Sequence, residues 1–143
     1  MLFRSIEKRG PEFLLITQNV DGLHHRAGSR NIVELHGNLT RTKCFNENVV
    51  VDQWPETDEV PPRCPRCGGH LRPDVVWFGE PLSPGILEVA GRASAGCDLF
   101  FSIGTSTVVY PAAALPSVAL KAGATVVEIN PDEIGRASCR ERV

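Results

Sequence analysis

The chain has 143 residues, 42% of them hydrophobic, and a formal net charge of -2. That length suits one domain with a real core, not two large ones. No apolar run approaches the ~20 residues of a membrane span, no charged start precedes an apolar signal segment, and the charge gives no electrostatic case for nucleic acid or an anionic membrane surface.

In chain order, Met1–Arg9 reads as the end of a helix with Leu2, Phe3 and Ile6 on one face, stopped by Gly10-Pro11. Phe13–Thr17 is a short apolar run that suits a buried parallel strand. Asp21–Gly28 is a polar loop with room for one helical turn, and Asn31–His36 is a second strand. From Thr40 to Arg72 the composition changes: cysteines, prolines, acids and glycines replace the apolar runs, the mark of an insert. Pro73–Phe78 returns to strand character through Val75 and Val76. Ser83-Pro84 is a good helix start, an N-cap serine before a proline at the first helical position. Ile86, Leu87, Val89, Ala90 and Ala93 then form an apolar stripe. Leu99–Ile103 is a strand ending at Gly104-Thr105-Ser106. Pro111–Ala122 is a helix apolar on most sides, Gly123 closes it, and Thr125–Ile129 is a last strand ending at Asn130.

Strands alternating with helices predict an α/β fold: a Rossmann-like, mainly parallel sheet with helices on both faces. The expected organisation is an incomplete core over residues 1–41 and 73–133, with a small zinc-ribbon-like module over 42–72. Residues 134–143, "IGRASCRERV", show no apolar periodicity and resemble the translated read-through of a sequencing adaptor. They read as a non-native tail, the plainer alternative being a frayed basic end.

In parallel sheets ligands bind beyond the carboxyl ends of the strands. Thr17-Gln18-Asn19, His36-Gly37, Gly104-Thr105-Ser106 and Asn130 all end strands, so small or polar groups are expected along one rim. Taken singly, His36 reads first as a histidine capping a strand end, and Asn19 and Asp21 as an Asn/Asp turn, which such residues often form.

The run Cys64-Pro65-Arg66-Cys67-Gly68-Gly69 is a zinc knuckle, one half of a tetrahedral site. Its partner half is expected to be another C-x2-C. Upstream stands "CFNE", with Cys44 in place and Glu47 where the second cysteine belongs. Two readings stay open. Three thiolates (Cys44, Cys64, Cys67) and a carboxylate hold zinc, or the site is degenerate and packing around Trp54 and the prolines holds the module. Cys97 reads as a small buried hydrophobe at a strand start.

The segments "TQNVDGLHHRAG" and "ELHG", followed by "CPRCGGHLRPDVVWFGE", "GTSTVVYPAA" and "VVEINP", resemble the sirtuins, the NAD-dependent protein deacylases. The resemblance runs from Pro11 to Pro131, and its specificity lies in several linked motifs in order. The "VVWFGE" wording is most similar to the bacterial and mitochondrial-type branch that includes desuccinylases. The resemblance implies an enzyme that takes an acyl group from lysine in a protein or peptide and releases nicotinamide and O-acyl-ADP-ribose. His36 matches the histidine that removes a proton from a ribose hydroxyl, a task that suits an imidazole. Asn19 and Asp21 match catalytic positions at the nicotinamide end, and Gln18 a ribose and nicotinamide neighbour. Gly104, Thr105 and Ser106 resemble the loop against the cofactor's ribose and phosphates, and Asn130 an adenine-side ribose contact. Val76, Phe78, Gly79 and Glu80 resemble the border of the acyl-lysine channel, where a substrate peptide adds as a strand. Trp77 and Phe78 otherwise read as core. His24 matches a position read as structural, and His25 and Arg26 read as solvated. The family's metal is a structural zinc away from the reaction.

Nothing in the chain matches the family's glycine-rich pyrophosphate loop, so the sequence reads as a sirtuin piece truncated at both ends, with little or no turnover of its own. Two rivals are a non-catalytic zinc-ribbon interaction module and another NAD-using transferase, such as an ADP-ribosyltransferase. The absence of a signal and the thiol-rich site make the cytoplasm the expected compartment.

Overall fold

A computed structural model of the chain describes residues 2–10, 12–105, 108–131 and 141–142. The fold is Rossmann-like α/β, divided into two compact units, Met1–Leu82 and Ser83–Val143.

The first unit opens with α1 (Leu2–Glu7). Strands β1 (Leu15–Thr17) and β2 (Ile32–Glu34) pair in parallel, Thr17 opposite Glu34. Between them lies α2 (Leu23–Arg26), the single turn the loop allowed. The chain then runs into β3 (Gly37–Cys44) and, after the cysteine segment, β4 (Leu71–Val75), which pair antiparallel. The strand expected over Pro73–Phe78 therefore starts two residues earlier and does not join the parallel sheet. The reason is local: the segment between Cys44 and Leu71 folds back on itself and returns the chain beside β3, which an antiparallel pair accepts without a crossover. Pro73, which has no N–H for a ladder, sits where β3 slips register between Asn38 and Thr42.

Cys44, Val51, Cys64 and Leu71 are buried together under Val49 and form the core of the small module. Trp54 is 39% exposed. The alternative of a module packed around Trp54 is thus not what the chain adopts; its centre is the cysteines.

In the second unit, α3 (Pro84–Gly96) begins at Ser83 as expected, but the serine hydroxyl makes no capping bond. Its carbonyl instead accepts the Leu87 N–H at 3.0 Å. The buried line on α3 is Ala90 and Ser94, while Ile86 and Val89 stay partly exposed. This stripe is narrower than expected, because residues four apart share a face and the small pair permits the closest approach. The helix expected over Pro111–Ala122 is a 3-10 turn (Ala112–Ala114) followed by α4 (Leu115–Ala122). Pro116 has no N–H to give the Ala112 carbonyl, and Leu115 bonds it in 3-10 fashion instead. Gly123 ends α4 at φ 100°, a conformation that favours glycine. Strands β5 (Leu99–Ile103), β6 (Thr125–Ile129) and β7 (Glu141–Arg142) form a parallel sheet in that order. Ala119, Ala124 and Val126 make its core, with Cys97, Phe100 and Leu120 packed on it. Cys97 caps α3 and is only partly buried, a correction to its reading as a buried strand residue. Most of 134–143 lies outside the described residues.

Candidate active site and metal centre

In the first unit two parallel strands deliver one rim. Leu35, 1% exposed, gives its N–H to the Thr17 carbonyl at 2.9 Å, which fixes the residues that follow on each strand side by side. His36 Nδ1 then lies 3.2 Å from the Gln18 carbonyl oxygen. A carbonyl only accepts, so Nδ1 carries the hydrogen and, in a neutral ring, Nε2 presents its lone pair. The Thr17 hydroxyl accepts the Asn19 N–H at 3.1 Å, turning the exposed Asn19 side chain off the strand end. Asp21 Oδ1 accepts the Leu23 N–H at 2.9 Å. The Asx turn weighed as the plain reading of Asp21 is therefore present, and it orients an exposed carboxylate at the start of α2. His24 stacks edge-on against Phe3, ring centroids 5.6 Å apart, a structural contact. His25 is not merely solvated: its Nε2 lies 3.4 Å from Glu34 Oε1.

Behind His36 stands a group of residues that sequence reasoning missed. Asn38, 4% exposed, donates to Glu34 Oε1 at 2.6 Å and accepts from the N–H and hydroxyl of Thr40. Arg41, carried on the β3 irregularity, bridges Glu34 Oε2 at 2.6 Å and Asp74 Oδ2 at 3.0 Å. Burial opposes the charge on Arg41, but these two carboxylates more than compensate and hold its guanidinium above its ordinary range. The N-x-T spacing Asn38–Thr40 was the available signal, an Asx pattern directly after "ELHG". Arg41 and Asp74 lie 33 positions apart and left no signal. Asn38→Ala is expected to cost about 1–3 kcal/mol by stranding Thr40 and part of Glu34, read as a shift of the urea midpoint.

The segment after β4 is a tight turn. The Val76 N–H donates to the His36 carbonyl at 2.9 Å, tying this segment to the rim. The Trp77 N–H donates to Glu80 Oε2 at 3.0 Å, and Arg72 donates to Glu80 Oε1 at 2.7 Å. These bonds, the backbone one foremost, hold the Glu80 carboxyl below the usual carboxylate range. Arg72 also lies 4.4 Å from the Trp77 ring centroid. Gly79 takes φ 90° at the turn, and Phe78 at the tip is 97% exposed. Neither aromatic is core: Trp77 is half exposed. Glu80 clamps the turn, Val76 is half-buried and bonded to the rim, and Phe78 and Gly79 are exposed at the tip. Arg72→Met is expected to release the turn, seen as a change in Trp77 emission in a Trp54→Phe background.

In the second unit the strand ends also gather polar groups. The Gly104 N–H donates to the Ile129 carbonyl at 3.0 Å, and the Asn130 amide donates to the Thr105 carbonyl at 3.2 Å. Gly104 has φ 60°, and a Cβ there would meet nothing within 4 Å. Backbone is thus open to close approach by a ligand at that turn. Ser106 lies outside the described residues.

Cys44, Glu47, Cys64 and Cys67 each bring one ligand atom into a cluster with all separations within 4.8 Å. Cys44 Sγ and Cys67 Sγ are 3.4 Å apart. The ligand atoms of a tetrahedral zinc–thiolate site lie about 3.8 Å apart, so these separations and this donor set fit zinc. The Glu47 N–H donates to Cys44 Sγ and is the main reason that thiol is lowered. The Gly69 N–H pulls Cys67 down, but Cys44, burial and Cys64 together push it up to about 11.

The family model described as Sir2 family matches residues 1–111. The chain belongs to the Sir2 family. An NAD-dependent protein deacylase of Aquifex aeolicus (strain VF5) is 49% identical over 133 residues, covering 92% of this chain and 56% of the relative. A crystal structure of a Sir2 homologue–NAD complex superposes with TM-score 0.87 at 44% identity, covering 98% of this chain and 55% of that one. A Sir2 bound to acetylated peptide gives TM-score 0.84 at 32% identity, covering 96% of this chain and 60% of that one. The chain spans about half the length of the curated relatives it matches.

Family membership carries the Rossmann-like fold, and the solved Sir2 homologue it resembles is a complex with NAD. Within this Sir2 chain each unit presents its own polar strand ends, His36 with Gln18 and Asn19 in one, Gly104 with Thr105 and Asn130 in the other. Among the described residues, no helix is long and apolar enough to cross a membrane.

Proposed function

We propose that the protein is an NAD-dependent protein-lysine deacylase in which His36 is the general base. The observation that carries this reading is the His36 Nδ1 contact to the Gln18 carbonyl at 3.2 Å, which leaves Nε2 as the basic nitrogen at the end of two parallel strands. Bound NAD would supply an activated ribose carbon with nicotinamide as its leaving group. His36 Nε2 accepts the proton of a ribose hydroxyl, and the Gln18 carbonyl holds the resulting imidazolium through Nδ1–H. The Asn19 amide and Asp21 carboxylate together offer donors and acceptors that match a carboxamide. Gly104, Thr105 and Asn130, and with them Ser106, receive the ribose and phosphate end of the cofactor. Val76, Phe78 and Gly79 border the acyl-lysine, with Glu80 holding their turn. The neighbour bound to acetylated peptide supports an acyl-lysine peptide as substrate.

The cytoplasm is the compartment we infer, from a thiol-rich cluster of Cys44, Cys64 and Cys67 that suits a reducing compartment. The test of function is a chimera in which this chain replaces the matching half of the Aquifex aeolicus relative. Incubated with NAD and acetylated peptide, it is expected to yield nicotinamide and O-acetyl-ADP-ribose by mass spectrometry. ADP-ribose left on the peptide would favour a transferase instead, and no product above background would remove the deacylase reading.

A further inference from the structure

The cysteine cluster departs from a four-thiolate site at one position, and the residue there is held by a specific partner. Glu47 has one carboxylate oxygen, Oε2, 3.1 Å from Arg66 Nε. Arg66 lies between Cys64 and Cys67 in the knuckle itself. Glu47 lies three residues beyond Cys44, and a ligand oxygen of its carboxylate falls within 4.8 Å of all three sulfurs. The two knuckles are thus joined twice, once through the sulfurs and once through the ion pair.

We propose that Glu47 is the fourth ligand of a Cys3Glu zinc site, and that Arg66 is its positioning residue. This rests on the reading that the cluster holds zinc. Three thiolates and a carboxylate leave excess negative charge on a divalent ion, and the guanidinium of Arg66 offsets part of it. By engaging one oxygen, Arg66 leaves the carboxylate to bind the ion through a single oxygen, as a four-coordinate site requires. A carboxylate is a harder donor than a thiolate, so the site takes zinc less tightly and exchanges it faster than an all-cysteine version would. The Glu47 substitution therefore makes a more labile metal clip, not a lost one.

The test is metal binding by the full chain, without reference to catalysis. Zinc uptake is measured by elemental analysis and by competition with a chromophoric chelator. Cobalt(II) is then titrated in to read its thiolate charge-transfer band. Wild type is expected to hold one ion per chain, with a band about three quarters as intense as that of Glu47→Cys. Glu47→Cys is expected to lose zinc to the chelator at least about tenfold more slowly. Glu47→Ala and Arg66→Ala are each expected to weaken binding about tenfold or more, and Arg66→Lys to recover part of the loss. Zinc affinity and a cobalt spectrum unchanged in Glu47→Ala would overturn the assignment. So would equal band intensity in wild type and Glu47→Cys. If wild type takes up no zinc but Glu47→Cys does, the ligand role of Glu47 falls and the cysteine cradle stands; if neither takes up zinc, both fall.

Discussion

In the chimera, His36→Ala is expected to lower deacylation about 10²–10⁴-fold, the range set by removal of a positioned general base. The loss is expected in kcat, with the peptide's KM little changed, because the imidazole acts on a ribose hydroxyl and makes no contact that holds the peptide. The Gln18 carbonyl sharpens this expectation. It fixes Nδ1 as the donor, so the ring has one defined basic atom. His36→Asn keeps an amide group near the position of Nδ1 but supplies no base, and should be as inactive as alanine. His24→Ala is the contrasting case: it removes the edge-on contact with Phe3 and should affect stability more than chemistry. Mass spectrometry of O-acetyl-ADP-ribose measures all three. Turnover by His36→Ala equal to that of the unmodified chimera would remove His36 from the chemistry and favour the interaction-module reading.

The second large effect is expected one residue on. Gly37 has φ 81°, and a Cβ there would run into the Asp74 carbonyl oxygen, with the Asp74 carbonyl carbon at 2.9 Å. The obstacle is backbone, in a strand pair where Gly37 faces Val75 directly. Backbone cannot turn aside as a side chain could, so β4 must move. Gly37→Ala therefore adds a left-handed strain of about 1–2 kcal/mol to a forced shift of the ladder, for a total expected near 3 kcal/mol or more. Gly68 and Gly79 separate the two contributions. Both have positive φ, but an added Cβ meets nothing within 4 Å, so alanine there should cost the strain alone. Urea unfolding of the three variants measures this. A Gly37→Ala midpoint no lower than that of Gly68→Ala would show that β4 gives way freely. Because the Val76 N–H bonds the His36 carbonyl, the same shift should also disturb the rim.

Much of the fold was legible because it rests on local patterns. The apolar runs gave β1, β2, β5 and β6, Ser83-Pro84 gave the start of α3, and Gly123 gave the end of α4. The linked motifs around "TQNVDG" and "ELHG" gave the family, and the family model matches over residues 1–111. Other features were not legible because they rest on particular pairings that composition does not show. Pro73–Phe78 looks like a strand by composition alone, yet β4 forms at Leu71–Val75 because Cys44 pairs with Leu71. Trp77 and Phe78 look like core residues, yet a turn clamped by Glu80 and Arg72 sets them outside.

By itself, the sequence determined which residue types end each strand and where the thiols stand, since these follow from periodicity and spacing along one stretch of chain. The three-dimensional arrangement fixed which ring nitrogen of His36 faces the Gln18 carbonyl, how Asn38 and Arg41 engage Glu34, and that Glu47 converges with the three cysteines. Each of those is defined by the distance and direction between particular atoms, which residue order does not carry.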